Sequence, residues 1–360
     1  MENSIRLNFV MPFNARRPIG GFKVMYEYAN RLSDLGYSVH ITYPIKTEYI
    51  PYRFPYWIRL VLSYIEGFRT CEWFEFRKNI TRSYVKSVNN KYIKQSDVII
   101  ATWWSTAYDV GLLNPDKGIK INLIQGYEDW EGHVDLLHRS YNMDGMTNIV
   151  VATYLKEIVG QYTDKPVTVI PNAVDSNKYK IADIIKDRNP FTICMLYSIQ
   201  EIKGSSYGIE ALERVKEKYP ELRVELFGIC PEPEGLPEWI KFYRNPADLP
   251  ALYNRNAVFI SNSFTEGMAL TPMEAMFCGC ACILTNIKGH SEYAIEDETA
   301  LLYEAGNLYQ LEKGIIEFLE DNNKRVKIAE RGNEFIQQFS WDKAVMKMDQ
   351  LIKELYKNRN

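Results

Sequence analysis

Ile5-Arg6-Leu7-Asn8-Phe9-Val10-Met11, followed by Gly20-Gly21 and by apolar residues at helical spacing (Val24, Tyr28, Leu32, Leu35), is the stretch that decides the fold. Gly36 supplies a helix stop, and Val39-His40-Ile41-Thr42-Tyr43 is the next strand. The result is a β-loop-α-β opening with a glycine-rich first loop and a helix from Phe22 to Leu35. Working outward, strand-like runs at Asp97 to Trp103, Ile121 to Gln125 and Asn148 to Ala152 alternate with helical stretches, which predicts a parallel, doubly wound sheet. At Val167-Thr168-Val169-Ile170-Pro171-Asn172 a strand meets a proline. A polar stretch then runs to Asn189-Pro190 with no core pattern of its own, as expected of a crossing between domains.

A second alternating set begins at Phe191-Thr192-Ile193-Cys194-Met195-Leu196. It continues through helix Ser205 to Tyr219, strand Arg223 to Phe227, helix Asp248 to Asn254, strand Ala257 to Ser261, helix Leu270 to Phe277 and strand Ala281 to Leu284. The 360 residues thus divide into two Rossmann-like α/β domains, residues 1–170 and 171–340, with a cleft expected between facing strand ends. At about 150 residues per domain the length agrees. An amphipathic last helix runs from Trp341 to Tyr356.

Composition excludes several classes. Lys and Arg number 43 against 46 Asp and Glu, a formal charge of −3, so the broad basic field of a nucleic-acid binder is missing and no nucleic-acid partner is expected. Met1 to Arg6 lacks the basic and apolar parts of a secretion signal, and no window reaches the ~20 apolar residues of a membrane span. The expectation is a cytoplasmic protein that meets a membrane, if at all, at its surface. Cys278-Gly279-Cys280-Ala281-Cys282 lacks the paired C-x-x-C spacing of zinc sites and reads as small buried thiols. Aromatic residues make up 13%, with 25 Tyr, and composition alone does not divide them among core, sugar and membrane contacts.

The strongest local chemical signal is Ser263-Phe264-Thr265-Glu266-Gly267-Met268-Ala269-Leu270-Thr271-Pro272-Met273-Glu274-Ala275-Met276. It places a strand end, a glycine turn and a helix start within a few residues, and free N–H groups at such a start seat an anionic phosphate. Glu266 and Glu274 offer carboxylates that accept from sugar hydroxyls. From spacing alone the stretch reads equally as an ordinary helix start with two exposed glutamates.

The Glu-Gly-x-x-x-x-Pro-x-Glu-Ala frame, with seven residues between the glutamates, resembles the donor-site motif of family 4 retaining glycosyltransferases, which have the GT-B fold. Gly20-Gly21 is similar to that family's first-domain glycine loop, Ile170 to Asp175 to its inter-domain crossing, and Lys203-Gly204 to the end of its phosphate loop. Gly279 to Glu292 is similar to the stretch after its motif helix, and Trp341 begins what looks like a terminal helix, residues 341–360, crossing back onto the first domain. The resemblance implies a donor-binding second domain and an acceptor-side first domain. Glu274 would hold the donor ribose; Glu266 with the amides of Gly267, Met268, Ala269 and Leu270 would hold the transferred sugar and diphosphate. Lys203 would neutralise phosphate, and the base would lie against the loop Phe242 to Pro246, Tyr243 included. No cofactor and no metal are expected; a nucleoside diphosphate-sugar is the co-substrate, and a departing diphosphate is the charge to be stabilised.

Two positions depart from the family pattern. Ser198 stands where an arginine is common, and Arg16 or Arg17, beside the glycine loop, is a candidate replacement cation; such a pair is also often simply solvated. Gln125 stands where many relatives carry a histidine. Gln125-Gly126-Tyr127-Glu128-Asp129-Trp130-Glu131 resembles a subgroup that includes bacterial polysaccharide and rhamnosyl transferases. Gln125 would orient the donor, and Glu128 reads either as a base toward an acceptor hydroxyl or as a structural cap. His133 and His138 have no third ligand at metal spacing and read as loop or helix residues.

Between Tyr49 and Tyr84 aromatic residues interleave with Arg53, Arg59, Arg69, Arg77, Lys78 and Arg82. Residues 49–86 read either as a surface for a lipid-linked acceptor at an anionic membrane or as helices that pack their aromatics inward and solvate their arginines. The leading expectation is a transferase acting on a glycan or lipid-linked acceptor in surface polysaccharide synthesis. The alternatives are a sugar phosphorylase or epimerase on the same fold, and a catalytically idle binding or scaffold partner, to which Ser198 and Gln125 lend weight.

Overall fold

A computed structural model describes residues 4–47, 54–67, 73–129 and 132–359 of the chain. The chain divides into two compact units, Met1–Asn172 together with Ala344–Asn360, and Ala173–Lys343. In the first unit β1 (Arg6–Val10), α1 (Gly20–Asp34), β2 (Ser38–Pro44), α2 (Tyr56–Gly67), β3 (Thr81–Val85) and β4 (Val98–Ala101) are followed by α3 (Trp104–Gly111), β5 (Ile119–Ile124), α4 (Val134–Tyr141), β6 (Met146–Val150), α5 (Thr153–Gly160) and β7 (Val167–Val169). In the second, β8 (Thr192–Leu196), α6 (Ser205–Lys218), β9 (Arg223–Gly228), β10 (Ile240–Arg244), α7 (Leu249–Arg255) and β11 (Val258–Ser261) precede α8 (Leu270–Phe277), β12 (Ala281–Thr285), β13 (Leu301–Tyr303), α9 (Leu308–Glu320) and α10 (Asn322–Ile336). The last helix, α11 (Trp341–Arg359), passes at Ala344 into the first unit, where Tyr37 donates its hydroxyl to Asp349 at 2.7 Å.

Both sheets are parallel throughout. The first has seven strands in the order β3-β2-β1-β4-β5-β6-β7, and the second six in the order β10-β9-β8-β11-β12-β13. Strands covered by helices on both faces must be apolar along their length rather than alternating. Val98-Ile99-Ile100-Ala101 and Val258-Phe259-Ile260 are accordingly buried at every position. In each sheet the winding reverses between two central strands, β1 and β4 or β8 and β11, and loops leaving that switch point are where such folds hold ligands.

Three local readings of the sequence need correction. Helix α1 begins at Gly20, so the two glycines form its first turn rather than a loop before it; Ile19 is the extended residue that caps it. Residues 81–85, read with a helical segment, form the edge strand β3, whose Thr81 and Ser83 hydroxyls bond the ring of His40 at 2.7 and 2.8 Å. Phe242 to Arg244, read as a loop, belongs to β10.

The aromatic segment splits in two. Trp73, Phe74 and Phe76 pack around the buried Tyr26 with ring centroids 5.5, 5.2 and 4.7 Å away. Arg77 pairs with Asp34 at 2.8 Å, Arg82 lies over the Phe76 ring, and Arg59 donates to the Ile45 carbonyl. On α2, by contrast, Trp57, Val61 and Ile65 recur every four residues and are 66%, 54% and 49% exposed. Tyr49, Tyr52, Arg53, Phe68, Arg69, Cys71 and Glu72 lie outside the described residues, as do Trp130 and Glu131. Among the described residues no helix is long and apolar enough to cross a membrane. Cys278, Cys280 and Cys282 are buried, and burial pushes the Cys278 thiol up. Among the described residues no three His, Cys, Asp or Glu side chains are grouped to hold a metal ion.

The polar crossing stretch is fastened by Arg188. This guanidinium is 6% exposed and donates to the carbonyl oxygens of Asp183, Asn256 and Cys278 and to Asn254 Oδ1. Asn254 in turn accepts the N–H of Ala182 at 2.7 Å and donates to Lys180 O at 3.0 Å. Replacing Arg188 with Met leaves several buried acceptors without a donor, at about 1–3 kcal/mol each. Urea denaturation of Arg188→Met is expected to show the second unit weakened by ~3 kcal/mol or more, with the first unit's transition unchanged.

Candidate active site

Because β8 and β11 are adjacent and parallel, the loops that follow them leave the sheet at one edge (residues 197–204 and 262–269). They are pressed together. Gly204, in the left-handed conformation at φ 59°, has the Asn262 carbonyl oxygen 2.2 Å from where a Cβ would stand, so only glycine fits. Phe264 N–H donates to the Ile202 carbonyl at 2.8 Å. The register set by these contacts brings Lys203 Nζ to 2.5 Å from Glu266 Oε1, and Ser263 donates its hydroxyl to the same oxygen at 2.8 Å. Both side chains of the pair keep some access to solvent, 22% for Lys203 and 16% for Glu266.

Directly after this pair the chain passes Gly267 and the buried Met268 and Ala269 into α8 at Leu270. The N-cap residue, Ala269, makes no side-chain cap, and the positive end of the helix dipole lies at this turn. The turn is held from the far side. Ala269 N–H donates to Gly289 O at 3.3 Å, and the Tyr293 hydroxyl donates to Ala269 O at 3.1 Å. Gly289 packs so tightly that an added Cβ would lie 2.5 Å from both the Cβ and the carbonyl oxygen of Glu266. The cation and the carboxylate thus meet beside the turn that leads into α8.

Other sequence-derived candidates are placed differently. Glu274 is 3% exposed inside α8, with the Tyr253 hydroxyl 3.4 Å from Oε2. Tyr179 also feels this carboxylate, although burial is the main cause of its hydroxyl being held neutral. Ser198 is a loop-holding residue: its N–H donates to Ser205 Oγ at 2.9 Å, and its Oγ accepts from Gln200 N–H at 3.2 Å. Tyr243 sits on the edge strand β10, where its hydroxyl donates to Glu225 at 3.2 Å and Arg255 lies 5.1 Å from its ring centroid. Expected in a base-binding loop, it is bound up in strand-edge contacts because residues 240–244 extend the sheet.

Gly20, Gly21, Arg17, Gln125 and Glu128 belong to the first unit, around its own switch point. Gln125 Nε2 donates to Gly21 O at 3.0 Å and to Thr102 Oγ1 at 2.9 Å, and a Cβ on Gly21 would stand 3.3 Å from it. The glycine thus makes room for the glutamine. Glu128 Oε2 accepts the N–H of Trp104, the first residue of α3, at 2.6 Å, a capping position favoured by the helix dipole. Trp103 before it has φ 70°, unusual for a bulky residue and a mark of local strain. Gly20 and Arg17 are exposed. His138 is stacked on Tyr162 and bonded to the Tyr127 hydroxyl at 2.9 Å.

Sequence reasoning passed over Ser263, His290 and Trp103. Ser263 stands three residues before Glu266, the spacing that carries their bond, and was legible there; His290 and Trp103 gain meaning only from burial and backbone angle.

Residues 176–335 match the family model described as glycosyl transferases group 1. An uncharacterised glycosyltransferase of Methanocaldococcus jannaschii is 32% identical over 113 residues, 31% of this chain and 32% of that protein. The O-antigen chain mannosyltransferase B of Escherichia coli is 30% identical over 106 residues, 29% of this chain and 27% of that protein. The matched part thus spans about a third or less of the length of these curated relatives. Among solved structures, Anabaena Alr3699/HepE in complex with UDP superposes with a TM-score of 0.75 at 15% identity, covering 97% of this chain and 100% of that one. The chain has the GT-B fold of two Rossmann-like halves, and its second unit carries the group 1 glycosyltransferase pattern over residues 176–335.

Proposed function

We propose that the protein is a retaining, metal-independent glycosyltransferase of family 4, close to the polysaccharide and rhamnosyl transferase subgroup, that moves a sugar from a nucleoside diphosphate-sugar to a glycan or lipid-linked hydroxyl. Surface polysaccharide synthesis is the setting this reading favours. The observation that carries it is the convergence of Lys203, Glu266 and the uncapped start of α8 at the switch point of the second sheet, inside the stretch that matches the family model. A diphosphate needs a cation and oriented amides, and a sugar needs a carboxylate beside them.

In this reading the second unit is the donor side. Lys203 and the amides of Gly267, Met268 and Leu270 hold the diphosphate while the Ala269 amide stays on Gly289 O, Glu266 takes the sugar hydroxyls, and Glu274 takes the ribose by giving up its long bond from Tyr253. Tyr243 and Ser198 shape the walls on this side through strand and loop contacts. The first unit is the acceptor side, where Gln125 and Gly21 line its own switch point and Glu128 serves the α3 start. Gln125 cannot take a proton and Glu128 is occupied, so the departing phosphate receives the acceptor's proton on the face it leaves. No metal or other cofactor enters. UDP is the first nucleotide to try, since it is bound in a solved structure of the same fold.

An idle binding protein is the second reading, supported by a serine where a phosphate arginine would strengthen the site. Donor turnover separates the two.

The α2 stripe of Trp57, Val61 and Ile65 suits shallow insertion into a membrane at which a lipid-linked acceptor lies.

One of UDP, GDP and dTDP at millimolar concentration is expected to raise the melting temperature, since a ligand at 100 times its Kd stabilises by about 2.7 kcal/mol. Lys203→Met should lose this by ~10-fold in affinity or more, and Glu274→Gln should weaken it. Glu266→Gln should lower donor turnover about 10²–10³-fold; equal rates, or no stabilisation by any nucleotide, would remove the assignment. Co-sedimentation with anionic liposomes should be lost on Trp57→Ser with Val61→Ser; wild type remaining in the supernatant would rule the membrane contact out.

A further inference from the structure

His290 ends the short turn Lys288–His290, is 1% exposed, and has its ring held at one nitrogen only. Nδ1 lies 2.8 Å from the carbonyl oxygen of Thr285. A carbonyl only accepts, so Nδ1 carries the hydrogen and Nε2 is left with a bare lone pair. That Nε2 is buried and has no hydrogen-bond partner. Buried acceptors without donors are rare, and one beside a binding pair calls for an explanation.

Short links tie this ring to the Lys203–Glu266 pair. Thr285 donates its hydroxyl to Ser263 O at 2.7 Å, and Ser263 donates its own to Glu266 Oε1 at 2.8 Å. Gly289, next to the histidine, packs directly on Glu266. Burial lowers the imidazole's affinity for a proton, the Thr285 carbonyl and Glu266 raise it, and Lys203 lowers it. Tyr293, with its ring centroid 6.0 Å away, is buried and neutral, its hydroxyl on Ala269 O. Burial is the largest of these effects and holds the ring uncharged, while the paired cation and carboxylate act on it in opposite directions.

A diphosphate seated at α8 draws the Lys203 ammonium toward its phosphate, and the Glu266 carboxylate loses its cation. We propose that His290 then takes a proton from solvent on Nε2 and supplies the positive charge that the Glu266 carboxylate has lost, so that seating the diphosphate is coupled to uptake of one proton. No covalent bond between heavy atoms changes; the ring's new positive charge stands in for the one that moved with Lys203. His290 is thus a positioning residue, balancing the charge beside Glu266 while Lys203 serves the phosphate. This rests on the reading of the site as a diphosphate seat.

The sign is fixed by linkage. A bound state that holds an extra proton binds less tightly as pH rises, across the interval between the ring's proton affinities in the free and the loaded protein. UDP, GDP and dTDP are titrated by calorimetry into the full chain at about pH 7.5, above the second phosphate ionisation near about 6, in HEPES and in Tris, whose ionisation heats differ. Wild type should show an enthalpy that depends on buffer, reporting proton uptake, and an affinity that falls with rising pH. His290→Asn, which still donates to Thr285 but cannot protonate, should show neither. Equal uptake in both proteins, or none in wild type, overturns the coupling. Nitrogen NMR of the wild-type ring decides the matter should the variant fail to fold: Nε2 should pass from bare to protonated on saturation, and a ring that stays bare overturns the coupling. If no nucleotide binds wild type, the diphosphate reading falls and the coupling with it; binding without uptake removes only the coupling.

Discussion

The adjacency of β8 and β11 is the constraint on which the candidate site depends. Two parallel neighbours release their loops at the same edge, and with helices on both faces those loops have no other space to occupy. Gly204 against the Asn262 carbonyl and Phe264 against the Ile202 carbonyl then set their separation. The Lys203–Glu266 contact follows from that spacing, and the open start of α8 from the turn that follows. A lysine and a glutamate 63 positions apart are thus brought together by the backbone geometry of the two loops.

The pair is poised between structure and chemistry. An ion pair with 22% and 16% exposure is partly screened, so its two members are separated at modest cost when a stronger partner arrives. A phosphate is such a partner for the ammonium. Glu266 also accepts from Ser263, and the buried His290 adjoins Gly289, which packs on Glu266. The first unit repeats the arrangement with different contents: at the β1–β4 switch point, Gln125 lies against Gly21 and Thr102, and Glu128 holds the strained Trp103–Trp104 corner.

Much of this was legible in the sequence, for identifiable reasons. Continuous apolar runs such as Val98 to Ala101 announced buried parallel strands, and the frame from Glu266 to Glu274 announced a loop and helix start with carboxylates. The edge strands were harder. Residues 81–85 and 240–244 have one half-exposed face and mixed composition, so neither the apolar run nor the helical period singles them out. The aromatic segment was unreadable as a unit because its two halves obey different rules. Trp73, Phe74 and Phe76 fill a space around Tyr26, whereas Trp57 stands on the outer face of a helix.

The sequence by itself determined the two alternating α/β halves and the glutamate frame, because these rest on local periodicity and spacing. Only the tertiary structure decided which residues meet. It paired Lys203 with Glu266, closed Glu274 behind Tyr253, turned Ser198 into a loop fastener, and drew Arg188 in to hold the crossing stretch. It also left one nitrogen of His290 without a partner. The physical reason is that contacts between loops far apart in the chain are set by strand order and close packing, and a linear pattern carries neither.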